Sequence, residues 1–243
     1  KYHFLNNEET VKLFQDKKEY IAVSPKIKRE LQSFFNVDPG KIHLLPNPLS
    51  FVPLCGEEKE KARRETRLRW NITEDTFVFG FVANRLTGKG LGLVVESLQK
   101  TDANFQVVIV GKLASKAQRE LATLIAKDKR GRISYLGYCE EMSRIYPAFD
   151  TLISPSCYES FGLAIYEALA SGVPCIISKY IGVLDMLHPE IVDDMVIVVG
   201  NNPEEIAVSM EQAQECFCNT QFSPRELMSG EIIDLETIIE EVS

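Results

Sequence analysis

From about Thr76 onward the chain alternates short apolar runs with longer stretches in which apolar residues recur at helical spacing. FVFGFVA (Phe77 to Ala83), FQVVIVG (Phe105 to Gly111), ISYLG (Ile133 to Gly137), TLISP (Thr151 to Pro155), VPCIIS (Val173 to Ser178) and MVIVVG (Met195 to Gly200) read as strands. Most are apolar throughout, as strands covered on both faces of a parallel sheet must be. The helices predicted between them carry matching punctuation. Asn202-Pro203-Glu204-Glu205 supplies a capping side chain, a proline at the first helical position and two carboxylates in the first turn. A helix from Phe161 to Ser171 is closed by Gly172, where a left-handed residue is wanted, and Pro174 follows. Strand and helix in this alternation predict an α/β fold, a Rossmann-like doubly wound parallel sheet.

The beginning of the chain departs from that rhythm. It offers a helix over Glu8 to Lys18, a short strand over Tyr20 to Val23, a helix opening at Ser24-Pro25 and running to Phe35, then the proline-interrupted KIHLLPNPLSFVPL. The next stretch, EEKEKARRETRLR (Glu57 to Arg69), mixes both signs of charge and reads as a solvated helical face rather than a basic patch. Residues 1–55 are expected to be the remnant of a preceding domain plus a crossing linker, and residues 56–243 the ligand-binding domain. A remnant that short should not form a second sheet with its own core, so most of a first domain is expected to be missing.

Composition narrows the function classes. With 243 residues, 45% of them hydrophobic, a core needs no covalent staples. A net charge of -8 speaks against nucleic acid as a partner, so any phosphate must be met locally. Cys55, Cys139, Cys157, Cys175, Cys216 and Cys218 follow no metal or disulfide spacing, which points to a reducing cytoplasm. No apolar run approaches the roughly 18 residues of a membrane span, and KYHFLNNEET lacks the layout of a signal peptide. There is no Asp-x-Asp motif, Asp193-Asp194 reads as a polar turn, and His3, His43 and His188 fall in unrelated loop or linker contexts. No metal is expected.

The chemistry concentrates in SPSCYESFGLAIYEALASGVPCIIS, Ser154 to Ser178. A strand ends at Ser154, a loop carries Glu159, and a helix starting near Phe161 carries Glu167. Side chains tilt toward a helix N-terminus, so Glu167 leans back to the mouth where Glu159 and the N–H groups of Gly162 and Leu163 lie. Two carboxylates then flank an anion-ready site, suited to a ligand with a phosphate and several hydroxyls. The competing reading makes both glutamates ordinary surface residues of a helix whose Phe161, Ile165 and Leu169 form the core stripe.

ESFGLAIYEALASGVPCIIS followed by IGVLDML resembles the signature of the retaining glycosyltransferases of family 4. IAVSPKIKREL and KIHLLPNPLSFVPL resemble the crossover between the two domains of the GT-B fold. FGFVANRLTGKGLGLVVESL resembles its phosphate-binding strand, loop and helix, and FQVVIVG and ISYLGY the next two strands. The resemblance spans about Ile21 to Val199.

That resemblance implies a nucleotide diphosphate sugar as donor, expected to be UDP- or GDP-linked, and no separate cofactor. It implies retaining transfer to a hydroxyl of a glycan, lipid-linked or small-molecule acceptor, with possible peripheral membrane association through the missing domain. Arg85 and Lys89 would neutralise the diphosphate, Glu167 would bind the ribose, and Glu159 with the Phe161-Gly162-Leu163 backbone would hold the sugar. Ser160 would belong to the same donor-binding stretch, and the loop at Gly137-Tyr138-Cys139 would lie against the base. Gly88 and Gly90 around the lysine imply close approach of the backbone to something. Asn84 stands where the family has glycine, and Ile181 and Asp185 replace a glycine and a glutamate, which would alter sugar choice. A nucleotide-sugar epimerase of the same fold and a non-catalytic binding module are the rival readings.

Overall fold

The computed structural model describes residues 19–217 except Thr87 and Lys129, together with Leu227 and Met228. The helix expected over Glu8 to Lys18, with His3 and Cys218, lies outside the described residues.

A small unit comes first: β1 (Tyr20–Ala22), α1 (Pro25–Phe35) and β2 (Ile42–Leu44). The two strands pair in parallel, Tyr20 opposite Ile42 and Ala22 opposite Leu44, over a cluster of Ala22, Leu31, Phe35, Val37 and Ile42. The expectation of no second sheet with its own core is therefore corrected to a two-stranded one. Two strands suffice because α1 closes the exposed face. His43 lies in β2 rather than in a loop, with Nε2 2.9 Å from Glu19.

Next is α2 (Gly56–Arg69), which departs from the solvated face its charges predicted: Ala62, Thr66 and Arg67 are buried. Arg67 is fully buried, and each of its guanidinium nitrogens has an acceptor. Its Nη2 reaches Asp150 at 2.6 Å, Nε the carbonyl of Ala148 at 3.0 Å, and Nη1 that of Thr76 at 2.9 Å. Arg63 takes the other Asp150 oxygen at 2.6 Å, and the N–H of Val78 donates to the same carboxylate at 2.7 Å. Burial pulls the Arg67 guanidinium below the usual arginine range, with Asp150 opposing. A charge removed from water needs hydrogen-bond partners, and here every nitrogen has one.

The remainder is β3 (Phe77–Val82), α3 (Leu91–Leu98), β4 (Phe105–Val110), α4 (Ser115–Ile125), β5 (Ile133–Gly137), α5 (Met142–Ile145), β6 (Thr151–Ser154), α6 (Leu163–Ala170), β7 (Cys175–Ser178), α7 (Pro189–Met195), β8 (Val196–Val199) and α8 (Pro203–Phe217). Six strands form one parallel sheet in the order β5-β4-β3-β6-β7-β8. Each of these strands expected from sequence appears, β5 with the expected bounds and the others trimmed by a residue or two at their ends. Asp193-Asp194 lies inside α7 rather than in a turn, since Pro189 starts a helix that runs to Met195.

Period-two geometry explains β3. Phe77, Phe79 and Phe81 point to one face, into the cluster with Leu98, Phe105 and Met210. Val78 and Gly80 point to the other, where Gly80 makes room for the Phe149 ring: a Cβ there would lie 2.3 Å from it. The three buried phenylalanines each contribute about 1.5–3 kcal/mol from apolar burial. α6 and α7 cover one face of the sheet, α3, α4 and α8 the other.

Candidate functional site

Strand order reverses between β3 and β6, so the loops leaving their C-terminal ends diverge and open a crevice. A cavity of about 430 Å³ fills it, walled by Arg85 and Lys89 after β3, Gly111 after β4, Tyr138 after β5, and Glu159, Gly162, Leu163 and Glu167 around α6.

Backbone constraints set the loops. The β3 loop is fixed by Asn84, whose Oδ1 accepts from the N–H of Lys112 at 2.8 Å, so the residue standing in for glycine ties this loop to the next. Gly90 caps α3 at a φ of 83°, and a Cβ there would lie 2.3 Å from the Pro155 carbonyl oxygen. The Gly88 carbonyl accepts from the N–H of Cys157 at 3.0 Å. The close approach implied by the two glycines is thus, at Gly90, to the loop after β6. It sets the lysine loop against the glutamate loop.

That juxtaposition brings Lys89 and Glu159 into an ion pair, with 26% and 17% of their side chains exposed. Ser156 Oγ donates to the same carboxylate at 3.3 Å. The Glu159 backbone bonds the loop after β7 through Tyr180 at 3.1 Å and Gly182 at 3.2 Å. Arg85 is exposed and makes no hydrogen bond or ion pair among the described residues. Diphosphate-sized anions entering the crevice would meet one exposed guanidinium and one ammonium already shared with a carboxylate.

Glu167 is buried at 7% exposure, which overturns the reading of it as a surface residue. Ser50 Oγ donates to its Oε1 at 2.6 Å and the Tyr146 hydroxyl to its Oε2 at 2.8 Å. Burial, reinforced by the adjacent Glu167, raises the Tyr146 phenol well above its usual range, so it stays a proton donor at neutral pH. α6 starts at Leu163, two residues later than expected, because Gly162 adopts a φ of 101° at the cap. A Cβ on Gly162 would lie 2.8 Å from Ile181, so this position excludes side chains. The N–H groups of Gly162 and Leu163 find no acceptor among the described residues.

Other expected residues lie apart. Ser160 and Phe161 do not line the cavity. The Ser160 carbonyl accepts from Ser24 Oγ at 2.6 Å, and Phe161 is a core side chain whose carbonyl accepts from Val183 at 2.7 Å. Phe161 packs edge-on against Tyr166, the two ring centroids 5.6 Å apart. Gly137 sits behind the wall, its carbonyl taken by the N–H of Gly111 at 2.8 Å, while Tyr138 reaches the cavity and is 62% exposed. Ile181 is buried and Asp185 pairs with Arg29 at 2.5 Å, so neither borders the cavity. Sequence reasoning missed Ser50 and Tyr146. Neither carries a motif, and only the fold brings them to Glu167.

The parallel sheet, its switch-point crevice and the residues around it define a domain of the GT-B glycosyltransferase kind. The family described as glycosyl transferases group 1 matches residues 62–217, and the chain belongs to it. It is 27% identical over 201 residues to an uncharacterized glycosyltransferase, MJ1607, of Methanocaldococcus jannaschii, covering 79% of this chain and 50% of that protein. To the UDP-Gal:alpha-D-GlcNAc-diphosphoundecaprenol alpha-1,3-galactosyltransferase of Escherichia coli it is 29% identical over 158 residues, covering 60% of this chain and 38% of that one. Its fold matches a glycosyltransferase from Rickettsia africae with a TM-score of 0.72 at 21% identity, over 86% of this chain and 57% of that one. Anabaena Alr3699/HepE in complex with UDP and glucose matches with a TM-score of 0.68 at 17% identity, over 87% and 60%. The chain spans about half the length, or less, of these curated relatives. Among the described residues no helix is long and apolar enough to cross a membrane.

Proposed function

We propose that this domain binds a nucleotide diphosphate sugar in the switch-point crevice and serves retaining transfer of its sugar to an acceptor hydroxyl, in the manner of family 4, in the cytoplasm. One observation carries the reading: Arg85, Lys89, the open N–H groups of Gly162 and Leu163, and two carboxylates ring one cavity of about 430 Å³. The cations and the helix mouth suit a diphosphate, whose negative charge grows as the sugar leaves and which pre-placed cations then stabilise. Glu167, oriented by two donors, suits ribose hydroxyls; Glu159 suits the sugar. The UDP of the Anabaena complexes supports a pyrimidine donor as the first to try.

The reading is tested by titration calorimetry with UDP, GDP and the matching monophosphates. A second phosphate gains charge-assisted contacts of about 1.5–3 kcal/mol, so the diphosphate should bind at least about tenfold more tightly. Equal affinity for diphosphate and monophosphate would remove Arg85 and Lys89 from the role.

A further inference from the structure

Glu167 is unlike the other charged groups of the cavity in being held from two distant parts of the chain. Tyr146 belongs to the short helical turn Tyr146–Ala148 just before β6, while Ser50 belongs to the stretch that crosses from β2 to α2. The same stretch docks on the tyrosine as well: the Phe51 ring stacks on that of Tyr146 with centroids 5.9 Å apart and planes 27° apart. The tyrosine is fully buried, and its ring also packs edge-on against Phe149 at 6.2 Å, so its hydroxyl has little freedom to leave the carboxylate. Each carboxylate oxygen therefore receives one fixed donor.

We propose that Ser50 and Tyr146 are positioning residues that set Glu167 for recognition of the ribose of the bound nucleotide. The inference rests on the reading above that Glu167 takes the ribose. A carboxylate has about four acceptor sites, so two fixed donors leave about two, enough for a pair of neighbouring hydroxyls. A buried glutamate without such donors would be free to turn its carboxylate toward water. The hydroxyls of Ser50 and Tyr146 prevent that. They give Glu167 one orientation before the ligand arrives, so the ordering of this side chain is not charged to binding. The crossing stretch thereby becomes part of the nucleotide site without itself touching the nucleotide.

The test is a ratio that a purely structural role would leave alone. Affinities of the full chain for UDP and GDP, and for their 2′-deoxy and 3′-deoxy counterparts, are measured by calorimetry for the wild type, Tyr146→Phe, Ser50→Ala, Ser50→Thr and Glu167→Gln. The wild type should prefer the ribose form by about tenfold. Tyr146→Phe and Ser50→Ala should each reduce that preference at least about threefold while changing affinity for the deoxy forms little, and Ser50→Thr, which keeps a hydroxyl, should restore it. Tyr146→Phe removes a buried hydroxyl and its hydrogen bond, which lowers stability; Ser50→Ala, at the surface, carries the test where that loss unfolds the chain. If the wild type discriminates and Glu167→Gln abolishes this, but Ser50→Ala keeps the wild-type ratio, the positioning role is wrong and the ribose reading stands. If the wild type binds neither diphosphate, or shows no ribose preference, the ribose reading falls and the inference with it.

Discussion

At the scale of single residues, the ion pair of Lys89 with Glu159 changes what a substitution should do. The two side chains are 26% and 17% exposed, so solvent screens the pair only in part. A free nucleoside diphosphate must compete with Glu159 for the ammonium, whereas an intact nucleotide-sugar offers Glu159 hydroxyls in exchange. Glu159→Ala should therefore tighten UDP or GDP by about fivefold, from a pair worth about 1 kcal/mol, while giving no such gain for the corresponding nucleotide-sugar. Parallel titrations of the two ligands check this, and equal changes in both would show that the carboxylate does not face the sugar. The pairing could not be foreseen from the separation of the two residues along the chain. It needs Gly90 to bring the loops together.

At the scale of elements, α2 shows how composition misleads. Its run of mixed charge reads as a face for water, yet Arg67 is wholly buried and, with Arg63, grips Asp150 at the start of β6. Asp150 also accepts from β3, so one carboxylate joins α2 to the two strands between which the crevice opens. Asp150→Ala leaves a buried guanidinium unpaired and should cost about 3–5 kcal/mol in chemical denaturation. A loss below about 1 kcal/mol would show that the network is relaxed by water. By contrast, the helix boundaries at Ser24 and Asn202 were legible, because each cap is a local hydrogen bond: Ser24 Oγ accepts from Ile27 at 3.3 Å and Asn202 Oδ1 from Glu204 at 2.9 Å.

At the scale of the molecule, the described residues that line the cavity belong to one sheet and its connections. The lining comes from residues 82–167, on the C-terminal edge of that sheet. The small β1–α1–β2 unit stands beside the loop of Glu159, through Ser24 on Ser160 and Lys26 over the ring of Tyr158, and adds no residue to the lining. Holding donor and acceptor together is worth several kcal/mol of barrier. We expect the 243-residue chain tested alone to bind donor and to show at most slow donor hydrolysis. Addition of a domain of about 150 residues before it, from a relative of full length, should bring acceptor-dependent transfer. Turnover that rises with acceptor at an ordinary enzymatic rate in the chain alone would place an acceptor site within it.

The sequence by itself determined the periodic features. Apolar runs, caps, and the left-handed glycine at 172 are decided by neighbours a few residues away, so β3 to β8 and the end of α6 could be read directly. Glu159 and Glu167 were legible as candidates from their places in the loop after a strand and on the helix that follows it, and Arg85 and Lys89 from the family resemblance. Only the tertiary structure decided that Glu167 is buried between Ser50 and Tyr146, that Lys89 is paired, and that Phe161, Ile181 and Asp185 serve the core and the α1 contact instead of the cavity. Those outcomes depend on residues far apart in sequence meeting in low dielectric, where a charge must find its donors, and no local pattern records which donors those will be.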